Sequence, residues 1–70
     1  MYEVKASMAG SVWKLNVSTG DTVEADQDVV ILESMKMEIP IATENGGTVK
    51  EIKVDEGDFV NEGDTIIVIE

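Results

Sequence analysis

Apolar residues in this chain come as short runs dominated by Val and Ile, with turn residues recurring between them. No apolar stripe at helical spacing persists beyond one turn, so strands are predicted throughout. Leu15 and Val17 share one parity, as do Ile52 and Val54, but Val12 and Val49 are out of step with them. A strand with one buried face changes parity only by taking in an extra residue. A bulge or bend is therefore predicted near Trp13-Lys14 and near Lys50-Glu51.

The slips match because the chain is written twice. Residues 10–33 and 47–70 align without gaps at an offset of 37. Gly10-Ser11-Val12 faces Gly47-Thr48-Val49, Gly20-Asp21 faces Gly57-Asp58, and the run Val29 to Glu33 faces Ile66 to Glu70. Two copies are too few for a solenoid. Two similar halves packed face to face about a pseudo-two-fold axis are expected instead. The Gly-Asp dipeptides and Glu62-Gly63-Asp64 read as turns, with glycine supplying positive φ. Asp26 occupies the place of Gly63 in the first copy, and Asp enters the left-handed region more readily than most residues. The predicted fold class is all-β: two antiparallel sheets packed as a sandwich or flattened barrel.

One junction breaks these local rules. The strand ending at Ser34 leads into a strand starting at Met37, with only Met35-Lys36 between. A two-residue hairpin loop of type I′ needs positive φ at both central residues, for which Asn-Gly is suited and Met-Lys is not. Each misfit costs on the order of 1 kcal/mol or more. The implied cross-strand pairs are Ser34 with Met37, Glu33 with Glu38, and Leu32 with Ile39. Opposed glutamates add a like-charge penalty, and Pro40 calls for a strand with a free amide side, near an edge. A lysine at a hairpin tip is ordinarily a solvated charge, and methionines are ordinarily core filler. Here both methionines sit where core contact is hardest to arrange, so Met35, Lys36 and Met37 read together as a recognition surface. The junction is expected near the pseudo-two-fold axis.

Composition narrows the function classes. Seventy residues make a single domain, 1–70, with an apolar fraction of 43%. The net charge is −10, from fifteen acidic residues against five lysines. Nucleic-acid binding needs a basic footprint, the opposite of this one. The acidity suits solubility as a monomer, and partner proteins with basic surfaces. Cysteine and histidine are absent, so no disulfide framework, thiolate metal site or catalytic nucleophile–base pair is expected. No run approaches the roughly 20 apolar residues that cross a bilayer. The N-terminus lacks the basic and apolar regions of a signal peptide. A cytoplasmic protein without membrane association is the expectation.

Glu33-Ser34-Met35-Lys36-Met37 resembles the Glu-Ala-Met-Lys-Met signature of biotin-carrier domains, with Ser34 in place of alanine. The duplicated Gly-x-Val pattern, the Gly-Asp turns and the central lysine are likewise similar to the biotinyl/lipoyl attachment family, over residues 7–70. In length and motif the chain most resembles the small stand-alone attachment proteins of bacteria. That resemblance implies a barrel-sandwich hybrid of two four-stranded antiparallel sheets with the modified lysine on an exposed hairpin. It implies a biotin carboxyl carrier with no catalysis of its own. A biotin protein ligase would acylate Lys36, and biotin would then shuttle carboxyl groups between a biotin carboxylase and a carboxyltransferase. Met35 and Met37 would flank the cofactor, and Glu33, Ser34 and Glu38 would be read by the ligase. The gap-free copies leave no room for the extra thumb loop that acetyl-CoA carboxylase carriers often have. Two other readings stand beside this one. One is a lipoyl carrier of a 2-oxoacid dehydrogenase or glycine-cleavage system. The other is an unmodified lipoyl-like structural module.

Overall fold

The computed structural model describes residues 1–70. Its eight strands are β1 (Tyr2–Lys5), β2 (Gly10–Leu15), β3 (Thr22–Val23), β4 (Asp28–Ser34), β5 (Met37–Ala42), β6 (Gly47–Ile52), β7 (Phe59–Val60) and β8 (Thr65–Ile69). They form two four-stranded sheets, ordered β1-β8-β6-β3 and β5-β4-β2-β7, and every pairing is antiparallel. The all-β expectation is met, and no helix is long and apolar enough to cross a membrane.

A shift of 37 residues carries β1–β4 onto β5–β8, and carries one sheet order onto the other strand by strand. The repeat therefore reaches back to β1 and β5, where side chains have diverged too far for sequence alignment to show it. The copies are not two halves laid face to face, as the repeat alone suggested. They are interleaved: β1 and β3 of the first copy flank β6 and β8 of the second, and β5 and β7 flank β2 and β4. Interleaving follows from edge chemistry. The hairpin-like pairs β2–β4 and β6–β8 would each leave two bare edges, and the other copy's short strands cover them.

Both predicted bulges are present. Trp13 is the extra residue where β2 pairs with β4, and Lys50 is the extra residue where β6 pairs with β8. A second matched pair was not anticipated. The β4–β5 register shifts between Asp28 and Val30, and the β1–β8 register shifts at Ile66. These bulges let neighbouring residues face inward together, so Val29, Val30, Ile66 and Ile67 are all fully buried. The core is one cluster of fourteen aliphatic side chains with no aromatic ring among them.

Four turns share one device. In each, a side-chain oxygen accepts a hydrogen bond from the backbone N–H three residues earlier: Asp21 from Ser18, Asp58 from Asp55, Asp64 from Asn61, and Gln27 from Glu24. The third residue of each turn has positive φ, namely Gly20, Gly57, Gly63 and Asp26 at 69°. The Gly-Asp signal is thus a glycine for backbone reach followed by an oxygen that ties the loop shut. Thr43 is the one fully buried polar side chain, and its hydroxyl donates to the Asn45 carbonyl at 2.8 Å.

Candidate functional site

The site grows out of β4, the strand whose Val29, Val30 and Leu32 are fully buried. It pairs with β2 on one side and β5 on the other, so its end is held laterally. Gly10 on β2 assists from below. A Cβ there would lie 2.9 Å from the Glu33 carbonyl oxygen and 3.5 Å from Ser34 Cβ, so glycine lets β2 close up under the hairpin base. Sequence reading treated Gly10 only as part of the repeat. Its mate Gly47 meets the same crowding, against the Glu70 carbonyl oxygen at 2.5 Å.

At the end of this braced ladder the pairs are Leu32 with Ile39, Glu33 with Glu38, and Ser34 with Met37, as the sequence predicted. Met35 has φ 51° and Lys36 has φ 65°, the two left-handed residues of a type I′ turn. Pro40 lies on β5, an edge strand, where its missing donor costs no ladder bond. The remaining positive-φ positions in the chain all belong to Gly or Asp. The strained pair therefore stands out against a fold that elsewhere uses residues suited to their conformation.

The side chains of the turn meet solvent. Met35 is 92% exposed and Met37 64%. Lys36, Glu33 and Glu38 are exposed and Ser34 is half-buried. The Lys36 ammonium makes no ion pair or hydrogen bond with the chain, whereas Lys53 pairs with Glu51 and Lys50 contacts Met1 Sδ. Lys5 and Lys14 are also free, so freedom does not single out Lys36. What does is a backbone bent outward at its own Cα, between two exposed thioethers. No residue from Glu33 to Glu38 lines any of the surface depressions. The arrangement holds an amine away from the body of the protein and does not enclose a ligand.

The turn is not on the pseudo-two-fold axis. Its mate, 37 residues away in either direction, is the gap between Glu70 and Met1 in the other sheet. An element on the axis would coincide with its own mate.

A domain duplicated in this way, with a strained Met-Lys turn at the join, matches a known family over nearly its whole length. The sequence profile of the family described as "Biotin-requiring enzyme" matches residues 2–69. The chain belongs to that family. It is 58% identical over 64 residues to the biotin/lipoyl attachment protein of Bacillus subtilis, covering 91% of this chain and 88% of that one. It is 42% identical over 67 residues to a biotinylated protein TB7.3 homolog of Mycobacterium leprae, covering 96% and 94% respectively. Among solved structures, the urea carboxylase of Kluyveromyces lactis superposes with a TM-score of 0.92 at 35% identity. That match covers 99% of this chain and 6% of the much longer enzyme. The two-sheet architecture expected from the motif is thus the architecture of this biotin-requiring family member.

Proposed function

We propose that the chain is a biotin carboxyl carrier whose single attachment point is the Nζ of Lys36. The observation that carries this is the Met35-Lys36 turn, an exposed, unpaired amine on a conformationally strained and laterally braced tip, in a biotin-requiring family. The residues present fit the group: an amide needs one accessible amine, and nothing near it competes for the nitrogen. Bound there, biotin supplies the ureido ring on which a carboxyl group travels from a biotin carboxylase to a carboxyltransferase.

The chain's own part is presentation. A lysine amine attacks a carbonyl only after it has given up its proton. The ligase therefore takes the proton as Nζ forms an amide with the biotinyl carbonyl, and AMP leaves from the mixed anhydride. The rigid β4–β5 ladder fixes the Lys36 Cα, so the entropy of locating the nucleophile is met before encounter. Met35 and Met37 offer adaptable apolar contacts to the ligase, and Glu33, Ser34 and Glu38 flank them on the ladder. The lysine stem then tethers the cofactor at high effective concentration near each carboxylase site. The chain performs no chemistry itself and works in the cytoplasm.

Intact-mass spectrometry after incubation with a biotin protein ligase, ATP and biotin tests this. One biotinyl adduct is expected on the wild type and none on Lys36→Arg, whose guanidinium stays protonated. An adduct that persists in Lys36→Arg would remove Lys36 from the site. A lipoyl adduct formed with a lipoyl ligase, in place of the biotinyl one, would assign the hairpin to lipoate.

A further inference from the structure

The internal repeat supplies a control for every outward-facing position. On the sheet that bears the hairpin, register places Phe59, Ser11, Glu33 and Glu38 in one cross-strand row. The next row holds Ile31 between Lys14 and Pro40, with the bulged Trp13 beside Lys14. Trp13 is 46% exposed and Phe59 65%. A shift of 37 residues lands on Lys50 for Trp13, Thr22 for Phe59 and Glu3 for Pro40. The backbones are equivalent, yet one outward face is aromatic and the other polar. The chain has three aromatic residues, and two of them lie on this face and outside the core.

Resting on the carrier reading, we propose that Trp13 and Phe59 form the apolar centre of the surface on which the biotin protein ligase seats this chain. The partner surface is apolar at its centre and basic at its rim. Glu33 and Glu38, in the row of Phe59, and Glu56, whose carboxylate accepts from Leu15 N–H at the end of β2, are exposed and complement such a rim. The same acidic rim, on a chain of net charge −10, repels a second copy. Continuity with the tip points to the ligase. Glu33 shares its row with Phe59 and lies three residues before Lys36. At strand spacing near about 4.8 Å, Phe59 lies two strands or about 10 Å from Glu33, and Lys36, on the far side of the turn, lies within about 10 Å of it. A standard footprint of about 800 Å² per partner spans roughly 28 Å, enough for the tip and both aromatics together. Buried aromatics at the centre of such a footprint carry a disproportionate share of the affinity.

The test is steady-state biotinylation with carrier concentration varied, using Phe59→Thr and Trp13→Lys to install the residues found at the mate positions. KM is expected to rise about tenfold or more in the double variant, with kcat within about twofold, because the amine is untouched. The reciprocal control, Thr22→Ala with Lys50→Ala on the other sheet, leaves both parameters unchanged. As a binding readout free of chemistry, Lys36→Arg inhibits wild-type modification competitively, and adding the two face substitutions relieves that inhibition. Circular dichroism and melting verify the fold. If the double variant does not fold, Phe59→Thr alone decides, with a smaller rise in KM expected. An unchanged KM in a folded variant overturns the proposal. So does a wild-type dimer abolished by the double variant in sedimentation, which would give the face to a second copy. A defect confined to turnover by a biotin carboxylase overturns it too. Failure of the ligase to modify the wild type would sink the carrier reading itself, and is read before any variant is made.

Discussion

The two sheets of this molecule have the same strand order, the same bulges and turns of the same design, yet they end differently. Where β8 meets β1 the outermost pair is Tyr2 with Ile69. Where β4 meets β5 the ladder runs on through Glu33–Glu38 and Ser34–Met37 into a closed turn. The shared parts are those that burial enforces, since a one-residue slip in any of these strands would turn its Val and Ile side chains outward. The unshared parts lie outside the core, where stability does not select. The exposed, strained tip therefore stands at one end only of a symmetrical scaffold, at a cost the fold tolerates.

That comparison can be tested first in the core, where the two inward neighbours at the β8 bulge should respond alike. Ile66→Ala is expected to cost about 2–5 kcal/mol and Ile67→Ala a similar amount. Urea denaturation measures both, and a loss below 1 kcal/mol at either position would contradict the interleaved core. The glycine pair sharpens the comparison next. Gly47→Ala places a Cβ 2.5 Å from the Glu70 carbonyl oxygen and 2.7 Å from Ile69 Cγ2, whereas Gly10→Ala meets Glu33 O at 2.9 Å. Overpacking against backbone costs roughly 1–3 kcal/mol. Gly47→Ala should lie at the upper end, and a larger loss for Gly10→Ala would reverse the ranking.

Smaller effects separate the tip from the rest. Met35→Asn with Lys36→Gly is expected to raise stability by about 1–2 kcal/mol, because residues suited to positive φ replace two that are not. For a domain this small that corresponds to a melting temperature several degrees higher, on the order of 4–8 °C per kcal/mol. On the carrier reading the same variant is expected to gain no biotinyl adduct by intact mass. A fall in melting temperature would show that the turn is not strained. The smallest change expected is at Asp26, where φ is 69° and the mate residue is Gly63. Asp26→Gly should gain only a few tenths of a kcal/mol, up to about 1 kcal/mol, since Asp is among the residues that enter this region most readily. A gain equal to that of the hairpin variant would mean that Met35 and Lys36 are no more strained than an ordinary turn.

Much of this architecture is legible in the residues. The parity slip at Val12 and Val49 locates both β2 and β6 bulges, and the hairpin register follows from counting back from Met35-Lys36. Other features are not. The β4 and β8 bulges are hidden because Val29-Val30 and Ile66-Ile67 are apolar at both positions, so no change of parity marks them. The kinship of β1 with β5 is hidden because Glu3 faces solvent where Pro40 does, and outward positions are free to diverge. The outward aromatic pair escaped notice for a related reason. Trp13 and Phe59 are 46 residues apart in sequence, and only the pairing of Ser11 with Phe59 brings them to one face.

The sequence alone determined the strands, the duplication, the strained turn and the lysine at its tip, because each depends on local periodicity or on residues a few positions apart. Tertiary structure decided how the copies share their strands, since the covering of bare sheet edges is a property of the assembled chain. It also decided that Gly10 braces the hairpin, and that one outward face differs in chemistry from its symmetry mate. Those are facts about neighbours across strands, and no periodicity along the chain encodes them.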